Sequence, residues 1–291
     1  MTIRVLTDDD AADLTNFLRQ YRETSMFMLS NLRSAGLTYV DKVYHGTYLA
    51  AFDRDSNIAG VLVHYWNGNV IMQSPDIQVL QNLVTYFKSI VKRTVSGVLG
   101  ENTQAKFTMS QLGIYSDKFS TNSSERLYAL DLKYLKMPEI RPVNNLRIVD
   151  VGEIPASILL VWIRAYNIEA LGYDDGELLD ARCQAHTERL REGSNCWALL
   201  NKGQPVSLCA FNACFEDSVQ IGPVWTPPKS RNNGFARYLL AGTLKNAIVQ
   251  GTNKAFLFTD EPSAERAYRA LGFNPIGQYR LAILGEPVTI K

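Results

Sequence analysis

The sequence predicts an α+β protein built from two domains of one fold, each a mixed, mostly antiparallel sheet flanked by helices. Three observations carry this. The order of strand-like and helix-like stretches in the first half repeats in the second. Each half holds a meander of three apolar runs joined by short polar turns, which is an antiparallel signal. Each meander is followed by a helix-like stretch and then another apolar run. Between the halves lies "YLKMPEIRPVNN", Tyr134 to Asn145, whose two prolines and polar end read as a linker. The expected division is a first domain over 1–135, a linker over 136–145 and a second domain over 146–291.

In the first half, "IRVL" is a short strand, followed by a helical stretch from Asp8 to about Gln20. "TSMFMLSNLRSAG" reads as a second helix closed by Gly36, a residue type suited to a C-cap. The meander is "TYLAAF", the turn "DRDSN", "IAGVLVHYW", the turn "NGN" and "VIMQS". "PDIQVLQNLVTYFKSIVKRTV" supplies a helix, and "VSGVLGENTQAKFTMSQLGI" a strand with a short helix.

The second half opens with the strand "LRIVDVGE" and the helix "IPASILLVWIRAY". "DGELLDARCQAHTERLREG" is a second helix, again closed by glycine. Its meander is "CWALL", "PVSLCAFNAC" and "VQIGPVW", joined by "NKGQ" and "FEDS". Setting Ala50 against Ala198 or Leu199 brings the two meanders into register, as an internal duplication would. A helix from about Asn232 to Gly251, a buried-looking strand "KAFLFTD", a short helix from Ser263 to Leu271 and two short strands complete the chain.

The bulk properties of the 291 residues exclude several classes. Net charge is +1 with scattered lysine and arginine, so nothing argues for a nucleic-acid or membrane-surface partner. No apolar run approaches the ~20 residues of a membrane span, and "MTIRVLTDDD" has no apolar signal core. Cys183, Cys196, Cys209 and Cys214 lack C-x-x-C spacing. They read as buried thiols of a cytoplasmic chain, with no metal site expected.

The stretch that carries chemistry is "IGPVWTPPKSRNNGFARYLL", Ile221 to Leu240. Pro227 and Pro228 end a strand because neither can donate to a ladder. Ala236, Leu240 and Leu244 then fall at helical spacing, so a helix starts near Asn232 to Gly234. The first turn of a helix has N–H groups without intrahelical partners, and the dipole adds positive character. A phosphate belongs at such an end. Gly234 removes a Cβ where a phosphate would approach, Ala236 is small, and Arg231 places a cation at the mouth. The spacing is neither the P-loop nor the dinucleotide fingerprint.

With "AYRALGF" following in its place, the order of elements resembles the GNAT superfamily of acyl-CoA-dependent N-acetyltransferases over Leu146 to Leu284. The family's [QR]-x-x-G-x-[GA] pattern is matched by Arg231, Gly234 and Ala236, and its later tyrosine by Tyr268. The resemblance implies acetyl-CoA as cosubstrate. Val224 and Thr226, flanking Trp225, would offer backbone groups to the pantetheine arm and thioester. The amides of Asn232, Asn233, Gly234, Phe235 and Ala236, with Arg231 beside them, would cradle the pyrophosphate. Tyr268 would be the catalytic acid near the sulfur, since a phenol with a pKa of ~10 is protonated at neutral pH. Strand amides would stabilise the developing oxyanion. The asparagine frequent three residues before this tyrosine is Glu265 here, a carboxylate poorly suited to sit near phosphates.

The first half departs from the pattern. Asp76 stands where a glycine and an arginine are expected, and no tyrosine matches Tyr268. This domain reads as GNAT-like without a cofactor site, available to shape the acceptor pocket or a homodimer surface. In the second half, "YNIEALGYDDGE", Tyr166 to Glu177, lies between the first two helices, and the resemblance implies that it lines the acceptor cleft. Glu169, Asp174, Asp175, Glu216, Asp217 and His186, or a water chain, are all open as the base. The resemblance implies a small-molecule or peptide amine as acceptor, attacking directly in a ternary complex. A non-catalytic acyl-CoA-binding or interaction module is the alternative.

Overall fold

A computed structural model describes residues 1–115, 119–138 and 145–290. Residues 139–144 of the expected linker lie outside the described residues. The chain divides into two compact units, one of residues 1–126 and 277–291 and the other of residues 127–276.

In the first unit, strand β1 (Thr2–Val5) precedes helices α1 (Ala11–Arg19) and α2 (Arg22–Ala35). Gly36 closes α2 at φ 69, its N–H returning to Leu32 O at 2.9 Å. The expected meander is present as β2 (Gly46–Phe52), β3 (Ile58–Tyr65) and β4 (Asn69–Gln73). Its Asn-Gly turn needs glycine on two counts. Gly68 has φ 78, and a Cβ there would meet Ser96 Oγ at 2.4 Å. Helix α3 (Ile77–Ile90) crosses over to β5 (Val95–Glu101), which pairs with β4 in parallel, Asn69 opposite Gly97. Leu80, Leu83, Val84 and Phe87 form one helical stripe on α3 and pack on Leu62, Val70 and Met72. Helix α4 (Asn102–Gln111) and strand β6 (Phe119–Asp131) follow.

The second unit repeats this order. Strand β7 (Leu146–Asp150), helices α5 (Ala156–Leu171) and α6 (Glu177–Glu192), and the meander β8 (Cys196–Asn201), β9 (Gln204–Phe215) and β10 (Ser218–Trp225) lead to helix α7 (Phe235–Val249). Strand β11 (Lys254–Thr259) pairs in parallel with β10, and α8 (Pro262–Leu271) and β12 (Asn274–Val288) end the chain. The sheet has a core on each face, and β8 feeds both by alternation. Cys196, Ala198 and Leu200 join the cluster of α5 and α6, while Trp197 and Leu199 between them join that of α7. In β10, Val219 and Ile221 belong to the α7 cluster, and Trp225, beyond the register shifts, to the other.

The unit boundaries differ from the expected division. The strand order in the first unit is β1-β2-β3-β4-β5-β12-β6, so residues 277–288 at the far end of the chain complete the first sheet. Residues 127–131 of β6 instead lie beside β11 in the second. The two expected terminal strands are one long strand, and β6 has no counterpart among the sequence expectations. Helix α5 also runs on to Leu171, which shortens the expected acceptor loop to the residues between Gly172 and Gly176.

Cys183, Cys196 and Cys209 are buried free thiols and Cys214 is half-buried. Burial pushes the Cys209 thiol up to about 12. Among the described residues, no helix is long and apolar enough to cross a membrane.

Candidate active site

The site forms where two parallel strands part. The ladder between β10 and β11 covers Ser218–Gln220 against Lys254–Phe256. Strand β10 then runs on to Trp225, shifting register against β9 after Gln220 and again before Val224. The edge of β10 that faced β11 is therefore released over its last residues. Val224 and Trp225 lie on this free stretch, Val224 against the α7 cluster and the Trp225 ring in the α5 cluster. The indole N–H of Trp225 is buried and, among the described residues, without an acceptor.

Past the strand, the chain is buckled back by side chains. Ser207 Oγ donates to Trp225 O at 3.2 Å and lies 2.9 Å from Thr226 Oγ1. A short 3-10 turn spans Pro228–Ser230. Asn232 and Gly234 both adopt left-handed backbone, at φ 63 and 74. Asn233 Nδ2 donates to the carbonyls of Ser230 and Arg231 at 3.2 and 2.9 Å, which holds the loop shut on itself.

Helix α7 begins at this loop with no side-chain cap, and a Cβ at Gly234 would meet nothing within 4 Å. Tyr238 N–H closes the first turn on Gly234 O at 3.0 Å, so the amides of Phe235, Ala236 and Arg237 are the unpaired donors. Phe235 buries its ring in the core, and Ala236 is half-buried. Arg237 is a site residue that the sequence reading does not single out. Its Nε is buried with no acceptor among the described residues. A cation in the first turn opposes the helix dipole unless an anion is at hand; that misplaced charge is the signal the sequence offers.

Arg231, the cation expected at the mouth, is held by two partners. Its Nε donates to Thr226 O at 3.0 Å, and its Nη2 meets Glu169 of α5, the ion pair closing to 2.8 Å. The guanidinium also lies 5.0 Å from the Trp225 ring centre. Arg231 thus ties the loop to the strand end and to α5, while the open positive character comes from the helix end and Arg237.

Tyr268 is half-buried on α8 and packs against the cluster that also receives Val224 and Phe235. Its ring sits edge-on to Phe273, with centroids 6.1 Å apart. Glu261 caps α8, accepting from Ser263 N–H at 3.0 Å. Glu265 is paired with Arg269 at 2.8 Å along the helix surface.

Of the candidate bases, only Glu169 is brought to this turn. Asp175 and Asp180 both pair with Arg164, and Asp174 is exposed in the short loop after α5. Glu216 and Asp217 form the β9–β10 turn at the opposite end of β10, where Asp217 O accepts from Asn253 and Lys254. That is roughly 20–25 Å from Trp225 by strand rise. His186 lies on α6, where burial and then Arg189 and Arg182 hold its imidazole down to about 4.

The first unit treats the same junction differently. The Asp76 carboxylate caps α3, accepting from Gln78 N–H at 2.7 Å, so this helix end carries its own anion. Gln104 Oε1 accepts from Ser74 N–H at 2.7 Å, which ties α4 to the end of β4.

Comparison with known proteins agrees with this geometry. Residues 175–282 match the family model described as an acetyltransferase (GNAT) domain. No curated protein matches the sequence. Among solved structures, a GCN5-related N-acetyltransferase from Sphaerobacter thermophilus superposes with TM-score 0.60 at 15% identity, covering 100% of this chain and 98% of that one. A GNAT-family acetyltransferase from Colwellia psychrerythraea gives 0.51 at 16% identity over 97% of this chain and 100% of its own. A tandem GNAT protein from the clavulanic acid biosynthesis pathway gives 0.55 at 11% identity over 99% of each. The released end of β10 and the uncapped start of α7 lie within the matched segment, so the part of this chain that holds the candidate site is similar to GNAT acetyltransferase domains.

Proposed function

We propose that the second unit binds acetyl-CoA and transfers its acetyl group to a primary amine by direct attack in a ternary complex. The observation that carries the reading is the open, uncapped α7 N-terminus at Gly234, set at the end of a strand whose edge is released. The residues fit a phosphate: three free amides, the helix dipole and the buried Arg237 Nε lie at one helix end, where Gly234 contributes no Cβ. The cofactor supplies an acyl carbon activated as a thioester. Backbone groups of Val224 to Thr226 orient the pantetheine arm along the free edge of β10. The amides from Asn232 to Ala236 hold the pyrophosphate. Tyr268 Oη is the proton donor to the departing sulfur.

Titration of the full-length protein with CoA in a calorimeter tests this. Binding with one site per chain is expected, because Asp76 fills the corresponding helix end in the first unit. Absence of heat at high micromolar CoA overturns the reading. Thiol release from acetyl-CoA across a panel of amines then separates an enzyme from a binding module.

A further inference from the structure

The first unit carries a buried cation that neither the fold nor the cofactor reading uses. Arg280 lies on β12 opposite Gly100 of β5, at the C-terminal end of that unit's parallel strand pair. Ligands of open α/β sheets gather at such strand ends. The residue is only 7% exposed. Its Nε donates to Asn102 Oδ1 at 3.0 Å and its Nη1 to Asn122 Oδ1. Both acceptors are neutral amides.

A guanidinium has five N–H donors and stays charged throughout the accessible pH range. Two are used, so three N–H groups of Arg280 find no acceptor among the described residues. Its Nη2 makes neither bond. Asn122 and Gln278 at the rim are exposed, so the head of the side chain is reachable from outside.

The neighbouring acids are spent elsewhere. Glu101 turns its Oε2 to the amides of Thr103 and Gln104, capping α4. Glu125 sits on β6 an odd number of residues from Asn122 and so projects from the opposite face, where Ser123 donates to it. Gly100, directly across the ladder, has no side chain. Burial alone, with no opposing carboxylate, pulls the Arg280 guanidinium below its usual range. A buried cation answered only by neutral acceptors is costly unless an anion completes it.

We propose that Arg280, with Asn102 and Asn122, forms a receptor in the first unit for a small oxyanion, a carboxylate or a phosphate group. The planar fork with its open N–H groups matches the two oxygens of either. The two amide carbonyls hold the fork in place, and the Asn102 amide is itself braced by donating to Gln278 Oε1 at 3.3 Å. The site is separate from the α7 end and does not rest on its cofactor role.

Thermal unfolding of the full chain tests this. Inorganic phosphate and acetate are titrated separately against chloride at constant ionic strength, with CoA in excess to cover the second unit. At least one of the two is expected to raise the unfolding midpoint saturably, and the more effective one identifies the ligand class. Asn122→Asp supplies an internal carboxylate and is expected to raise the midpoint without added anion and to abolish the response. Arg280→Met is expected to weaken anion binding about tenfold or more, the scale of lost charge-assisted bonds. An equal response in Asn122→Asp and wild type overturns the proposal. So does a wild-type protein indifferent to both anions.

Discussion

Gly234→Ala separates backbone strain from ligand contact at the α7 end. The left-handed backbone at φ 74 costs a residue with a Cβ about 1–2 kcal/mol. Nothing lies within 4 Å of that Cβ, so no clash adds to the cost. For a domain of this size the loss corresponds to a fall of roughly 2–8 °C in unfolding midpoint. The same methyl projects into the space over which a phosphate must reach the amides of Phe235 and Ala236. Losing one hydrogen bond to a charged group, at about 1.5–3 kcal/mol, weakens CoA by roughly 10- to 150-fold. Gly234→Asn is the control. Asparagine tolerates left-handed backbone better, so it should recover much of the stability yet still obstruct the phosphate. Calorimetric CoA titrations and melting curves on both variants read the two effects apart. CoA affinity within about twofold of wild type in both would refute the amide cradle, whatever the melting curves show.

Tyr268→Phe should lower turnover by about 10²-fold or more, the range for a positioned acid, with acetyl-CoA affinity little changed; unchanged turnover removes the hydroxyl from the mechanism. Glu169→Gln frees Arg231 from an ion pair whose side chains are 38% and 52% exposed. Its stability effect should stay within ~1 kcal/mol, while CoA binds several-fold tighter as the guanidinium becomes available; weaker binding would mean that the pair shapes the loop. Burial, and then the Arg93 guanidinium, hold the His64 imidazole down to about 4. Its folded value lies below the ordinary ~6.5, so the folded chain binds fewer protons than the unfolded one between those values. Stability should be full above about pH 6.5 and fall toward pH 4, by on the order of 1–3 kcal/mol from this group, and urea melts against pH should show a shallower slope in His64→Phe. Truncation after Ile276 removes the strand paired with β5 and should expose amides of β5 to hydrogen exchange, while β8 and β9 stay protected.

Local pattern accounts for most of the elements. The stripe Leu80, Leu83, Val84 and Phe87 marks α3, and Asn67-Gly68 marks a hairpin, because both depend only on neighbours in the chain. The glycine–alanine turn and the lone Asp76 at its counterpart likewise mark which half offers an open helix end. Ion pairs behave otherwise. Arg231 reads as a cation at the mouth of the turn, and only the fold sets Glu169, far away in the chain, beside it.

The sequence by itself determined the duplicated order of elements, the caps and the site turn, since hydrophobic period, proline, glycine and side-chain caps act over a few residues. Only the tertiary structure decided which sheet receives β12. A strand with period-2 alternation suits either sheet, and the choice rests on long-range pairing: Leu281 to Leu99 and Ala282 to Val98 seat it in the first unit. The same pairing carries Arg280 to Asn102 and Asn122, a buried charge that no local pattern could reveal.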